Sequence, residues 1–178
     1  MAKQQWVADA SHSELGFKIR HLMITNINGK FNTFTVDATT EEEDFMTAKV
    51  KVTVDIDSIS TGSADRDQHL RSPDFFDVNT YKDIIFEATK YENVDNDGSY
   101  ELYGDLTIRG ITKNIKLAVE YGGVVKDPWG NTRAGFTING KINRKDFGLT
   151  WNAATEAGGV MVGDEVKIYG EVQLIKKQ

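Results

Sequence analysis

Between residues 49 and 59 the chain alternates with a period of two, placing Val50, Val52, Val54 and Ile56 on one side and Lys49, Lys51, Thr53 and Asp55 on the other. That is the pattern of a strand with one face on apolar surroundings and one on water. The same period recurs in Leu15, Phe17 and Ile19, in Ile84, Phe86 and Ala88, and from Tyr100 to Arg109, which carries Leu106 and Ile108. It returns in Ile115, Leu117, Val119 and Tyr121, then in Ala134, Phe136, Ile138 and Ile142, and finally in Val166, Ile168, Val172 and Leu174. Turn residues separate these runs. Asn28-Gly29 predicts a tight hairpin turn into a strand starting at Phe31, Asp97-Gly98 a second turn, and Asp127 to Asn131 a third, while Gly110 punctuates the strand before it. Parity persists across Asn139-Gly140, which predicts one strand with a bulge or a close backbone approach at Gly140. Residues 151–163 have weak periodicity and read as a loop.

The result is about eight strands without the regularly spaced helices of parallel units, hence an antiparallel sheet. Such a sheet covers its apolar face by packing on a second sheet or by closing on itself, and periodicity leaves both open. An eight-strand barrel is wide enough for packed side chains or one slim ligand. One stretch, Thr61 to Asp77, breaks the pattern. Ser63 is a helix N-cap, Asp65 and Asp67 occupy the favourable first turn and Arg71 stands near the end. Ser72-Pro73-Asp74 restarts the same grammar, and Phe75 and Phe76 follow side by side, so at least one needs apolar cover from outside. One or two short helices over 63–77 therefore form a lid or plug on the sheet.

A length of 178 residues suits a single domain, 1–178, able to bury a core without staples. No cysteine is present, which removes disulfides, thiolate metal sites and cysteine nucleophiles. The first residues contain no apolar signal core and no stretch is apolar enough to span a membrane, so a soluble cytoplasmic protein is expected. Net charge is −6 and basic residues are scattered among acids, which argues against nucleic-acid binding and against attraction to anionic membranes. The run from Glu41 to Asp44 reads as a solvated turn.

Catalytic motifs are absent: no nucleophile elbow, phosphate loop, zinc-protease helix or dinucleotide fingerprint. Residues 93–98 begin like a calcium loop, but the twelfth position is Gly104, so a hairpin turn is the better reading. His12, His21 and His69 lie on separate segments and could converge on zinc, yet none forms a close-spaced pair with another ligand type, and no metal site is assigned. Ser63, Asp67 and His69 on one short helix cannot generally form a hydrolytic relay. The clusters Arg66/Asp67/Arg71/Asp74 and Arg144/Lys145/Asp146 have two readings: guanidinium forks holding the lid to the barrel, or contacts to the polar head of an amphiphile.

Arg66 to Arg71 followed by Asp74 to Asp77 resembles the signature block of the YceI-like family of polyisoprenoid-binding, lipocalin-like proteins. His12-Ser13, Gly16-Phe17 and Arg20-His21-Leu22 resemble its opening, Gly104 to Thr112 its central strand pair, and Asn143 to Leu149 its late motif. The resemblance implies an all-β, lipocalin-like antiparallel barrel whose apolar interior holds a long lipid chain. Family members often carry a secretory signal, which makes an exported protein the alternative location.

Pattern and resemblance together assign an apolar tunnel to Phe17, Ile19, Phe31, Val52, Val54, Ile56, Phe75, Phe76, Phe86, Leu106, Ile108, Leu117, Val119, Phe136, Ile138, Phe147, Val166 and Ile168. Arg66, His69 and Arg144 are the head-group candidates. The expected function is binding, sequestration or transport of a polyisoprenoid or similar amphiphile, with no cofactor required and no catalysis. A homodimer stays open. The alternatives are an accessory protein or enzyme acting on an isoprenoid quinone, with His69 or His21 in proton chemistry, and a packed barrel serving as a stress-response interaction scaffold.

Overall fold

The structure, a computed structural model, describes residues 2–94, 98–153 and 161–177. Its strands are β1 (Lys3–Ala8), β2 (Glu14–His21), β3 (Thr25–Phe31), β4 (Phe34–Glu41), β5 (Asp44–Asp55), β6 (Ile59–Ser60), β7 (Asp83–Asn93), β8 (Ser99–Ile108), β9 (Ile111–Lys126), β10 (Thr132–Asn143) and β11 (Val162–Lys176), with one α-helix, α1 (Ala64–Arg71). Every pairing is antiparallel, in the order β1-β4-β5-β7-β8-β9-β10-β11-β2-β3-β6. Trp6, Val7 and Ala8 of β1 pair with β11 and so close the sheet.

Eleven strands amount to eight staves because three staves are broken. β1 continues into β2 through a 3₁₀ turn at Ala10–His12, β3 into β4 across Asn32 and Thr33, and β5 into β6 through a 3₁₀ turn at Ile56–Ser58. The upper and lower halves of each broken stave keep the same neighbours: β1 pairs with β4 as β2 pairs with β3, and β4 with β5 as β3 with β6. Long staves in a small barrel must coil strongly, and a short interruption absorbs the bend. The expected eight-strand antiparallel barrel is the observed fold. No helix among the described residues is long and apolar enough to cross a membrane.

Three local expectations need correction. Asn28-Gly29 lies within β3, and the turn comes earlier, at Leu22 and Met23, both at positive φ of 53° and 60°. Gly29 is needed for a different reason: it pairs with Phe17, and a Cβ there would lie 2.2 Å from Cζ of that ring. Ser72 to Asp77 does not restart a helix but folds back in turns, with the amide of Phe76 donating to Leu70 O and that of Val78 to Arg71 O. Residues 162 and 163, read as the end of a loop, already belong to β11. At Gly140 the continuous strand is confirmed, and the close approach is to Leu117, whose Cδ2 would lie 2.5 Å from an added Cβ. The bulge sits instead between Gly135 and Phe136, where β9 carries the extra residue Gly122. Asp97 of the expected Asp97-Gly98 turn lies outside the described residues.

The two barrel ends differ. At one end the staves are joined by the short turns at Glu42-Glu43 and Asp127–Asn131. At the other end lie α1, the turn at Leu22-Met23, the Arg109-Gly110 turn and the 3₁₀ segment Arg144–Phe147. Every candidate head-group residue therefore belongs to one end.

Candidate functional site, a lidded apolar cavity

The barrel encloses a cavity of about 640 Å³, inside the range of roughly 300–1,000 Å³ typical of small-molecule sites. Phe17, Ile19, Phe31, Val52, Val54, Phe86, Leu106, Ile108, Leu117, Val119, Phe136, Ile138, Val166 and Ile168 line it from the walls, and Phe75 and Phe76 close it from the lid. Two residues assigned to the tunnel are elsewhere. Ile56 and Phe147 are buried but outside the lining, because each sits in a 3₁₀ segment where two-residue alternation no longer sets direction.

The far end of the cavity is an aromatic floor. Phe45 packs between Trp6, tilted at 4.8 Å, and Phe136, edge-to-face at 4.9 Å between ring centroids, and Tyr121 lies 5.3 Å from Phe136. Trp6 Nε1 donates to Thr40 Oγ1 at 3.0 Å, which satisfies the indole in a fully buried position. Tyr91 and Tyr100 complete this end. The Tyr91 hydroxyl donates to Ala48 O at 2.7 Å, and burial pushes its pKa up to about 12. Burial raises Tyr100 as well, helped by its tyrosine neighbours.

Polar groups collect at the lid. Ser63 caps α1 as expected, its Oγ accepting from the Arg66 amide at 3.3 Å. Thr61, buried at the foot of the helix, is the hub: its amide and hydroxyl donate to Asp67 Oδ1 at 2.8 and 2.5 Å, while Arg66 Nε and Nη2 donate to its hydroxyl and carbonyl at 2.8 and 2.6 Å. Arg66 keeps Nη1 without a bond to any described residue, and the side chain lines the cavity. His69 Nε2 donates to Asp74 Oδ2 at 2.9 Å, since a carboxylate can only accept. Its ring stands edge-on to Phe75 at 5.1 Å and to Trp151 at 4.7 Å, forming part of the cavity wall.

Arg144 has a different role from Arg66, although it touches the same cavity. It is 2% exposed and gives its donors to the carbonyls of Gly163, Leu149, Trp151 and Val162 at 2.8, 2.6, 2.7 and 3.3 Å. Burial lowers its pKa, opposed by Asp164 nearby. With its fork committed to the chain, Arg144 holds the lid-end loop in place, the structural one of its two readings. Arg71 and Arg109 act alike: Arg71 donates to Asp57 O and Ile59 O, and Arg109 reaches from the β8–β9 turn to Phe75 O at 2.9 Å.

Other constellations dissolve. Ser63, Asp67 and His69 form no relay, since Asp67 serves Thr61 and His69 serves Asp74. His12 is bound to Asp9 at 2.8 Å in the turn between β1 and β2, and no three His, Cys, Asp or Glu among the described residues are grouped to hold a metal.

Several lining residues escaped the sequence reading, among them Phe45, Tyr91, Trp151 and Met161. Phe45 and Tyr91 sit beyond register shifts, between Thr39 and Glu41 and between Ala88 and Lys90, which reverse the parity the neighbouring residues establish. Trp151 follows the 3₁₀ segment Arg144–Phe147 in a stretch with no period, and its only signal was its size.

Comparison with known proteins agrees with this architecture. The family model described as YceI-like domain matches residues 6–174. The UPF0312 protein SA2479 of Staphylococcus aureus strain N315 is 40% identical over 161 residues, covering 89% of this chain and 90% of its own length. The crystal structure of the Campylobacter jejuni YCEI protein superposes with a TM-score of 0.76 at 36% identity, over 96% of each chain. A polyisoprenoid binding domain from Saccharophagus degradans shares the fold at 16% identity, with a TM-score of 0.69 over 97% of this chain and 98% of that one. On the match over nearly its whole length, this chain belongs to the YceI-like family.

Proposed function

We propose that the protein binds one long-chain amphiphile, an isoprenoid or a lipid of similar length, with the tail in the barrel and the polar head under the lid. The observation that carries this is the distribution of polarity: the walls and floor are aliphatic and aromatic, with the Tyr91 and Tyr100 hydroxyls as the polar groups of the floor, whereas the charged side chains and the Ser and Thr hydroxyls that line the cavity, Thr61, Ser63, Asp65, Arg66, His69 and Arg144, all lie at the lid end. Each buried CH₂ contributes about 0.8 kcal/mol, so a tail alone supplies affinity and a few head contacts set orientation. Arg66 Nη1 and the His69 ring are the groups placed to meet the head. The polyisoprenoid-binding relative of the same fold supports an isoprenoid tail. Thr61, Asp67 and Arg144 at the lid are engaged in holding structure, which supports binding over catalysis.

The test is native mass spectrometry of the purified protein with lipid analysis of an organic extract. One lipid per chain, released on unfolding, is the expected result. An empty protein whose melting temperature is unmoved by prenyl alcohols, quinones and fatty alcohols would end the proposal and leave an interaction scaffold as the reading.

A further inference from the structure

The cavity reaches the surface beside the β2–β3 turn, since its lining includes His21, Val162 and the exposed residues Met161 and Asp65. That turn is built from Leu22, Met23 and Ile24, which are 40%, 51% and 73% exposed. Met161, 36% exposed, joins them: its carbonyl accepts the Leu22 amide at 2.8 Å, and the sulfur of Met23 lies over Gly163 of β11. Four large apolar side chains thus stand together in water on the rim of an apolar cavity.

The backbone makes this arrangement less comfortable than a polar one. Leu22 and Met23 both sit at positive φ, where two-residue hairpin turns take Asn-Gly or Asp-Gly. The chain uses glycine at the second position of the corresponding turn at the same end, Arg109-Gly110, with φ of 53° and 74°. Bulky apolar residues held in an unfavourable backbone conformation and exposed at a tip call for a partner in which they are buried. The partner is set by continuity with the cavity: a lipid tail has to pass this rim on the way in, and its source is a bilayer.

We infer that the Leu22-Met23-Ile24 tip, with Met161, is a bilayer-docking element that seats the cavity mouth on a lipid surface. This rests on the lipid-binding reading of the cavity. The chain's net charge of −6 and the absence of lysine and arginine from residues 21–29 make the contact an apolar insertion without charge attraction. The surface it fits is therefore zwitterionic, with no gain from anionic lipid and little loss in salt.

The experiment is co-sedimentation of the purified protein with phosphatidylcholine vesicles, comparing the native chain with L22N/M23G. The variant installs the preferred turn residues, so its melting temperature should match or exceed the native value and unfolding cannot explain a loss. W129S, which removes the 82%-exposed tryptophan of the turn at the opposite barrel end, is the control. The expected result is vesicle binding by the native chain and W129S, weakened roughly tenfold or more in L22N/M23G, since burying even one such side chain is worth about a factor of ten. A native chain that stays in the supernatant, or a variant that sediments equally, overturns the inference and turns the tip toward a protein partner. Loading from a fatty alcohol delivered in ethanol separates the two readings. If L22N/M23G loads normally from ethanol but slowly from vesicles, both stand; equal loading from vesicles removes the tip alone. No loading of either protein from either source removes the cavity reading, while sedimentation still decides the tip.

Discussion

Phe136→Ala tests whether the aromatic floor is what limits the cavity. The ring is 8% exposed and contacts Phe45 at 4.9 Å and Tyr121 at 5.3 Å between centroids. Truncating a buried phenylalanine costs about 3–5 kcal/mol from lost transfer energy and the void left behind. Two aromatic pairs at about 0.5–1.5 kcal/mol each account for part of that. A domain stable by about 5–15 kcal/mol survives such a loss. With a urea slope of about 2 kcal/mol per molar, the unfolding midpoint should fall by about 2 M at unchanged slope. The same void deepens the cavity toward Trp6. In a homologous series of n-alkyl alcohols the best-stabilising ligand should therefore lengthen, and a tail longer by four carbons gains about 3 kcal/mol, roughly 200-fold in affinity. The assay is the melting-temperature shift across the series for both proteins. A variant with the expected stability loss and an unchanged length optimum would show that tails do not reach the floor. A midpoint shift below about 0.5 M would show that the floor is not packed as described.

Arg144→Lys should destabilise by about 3–5 kcal/mol in urea unfolding, because a lysine cannot reproduce a planar fork placed on four carbonyls; a near-neutral substitution would remove Arg144 as the anchor of the lid-end loop. Asp9 is held well below the usual carboxylate range by Arg133 at 2.6 Å, then by His12 and Ser11, so its contribution is present above about pH 4 and drains away as pH falls toward the depressed native value. Asp9→Asn should lower stability at pH 6 and flatten its decline between pH 5 and about 2; an unchanged acid slope would rule out Asp9 as a source. Tyr91, raised to about 12 by burial, loses its contribution as pH climbs from about 10 toward 12, so Tyr91→Phe should unfold less steeply with alkali, and equal slopes would contradict its burial. Gly29→Val should narrow the cavity and destabilise the barrel, since a Cβ there meets the Phe17 ring; a protein of native stability and lipid capacity would show that the ring is free to move.

Alternation in β5, β8, β9, β10 and β11 was legible because each of those staves has one face in the barrel and one in water, and the period of two follows from strand geometry alone. Of the eighteen residues assigned to the tunnel, sixteen line the cavity, fourteen from the strands and Phe75 and Phe76 from the lid stretch. The N-cap at Ser63 was legible too, being a local hydrogen-bond requirement of any helix start. Tertiary contact decided the rest. Whether Asn28-Gly29 turned or continued depended on Phe17 across the sheet, and Gly29 was wanted for a missing Cβ and not for a positive φ. The inward turn of Phe45 and Tyr91 depended on register shifts with partner strands, and the burial of Ile56 and Phe147 outside the cavity on 3₁₀ segments that end the alternation. Arg66 and Arg144 were equivalent as sequence; only the carbonyls that folding brings around one of them separate an anchor from a group facing the cavity. Local pattern records what a residue needs from water and from its own backbone, whereas partners distant in the chain exist only once the barrel has closed.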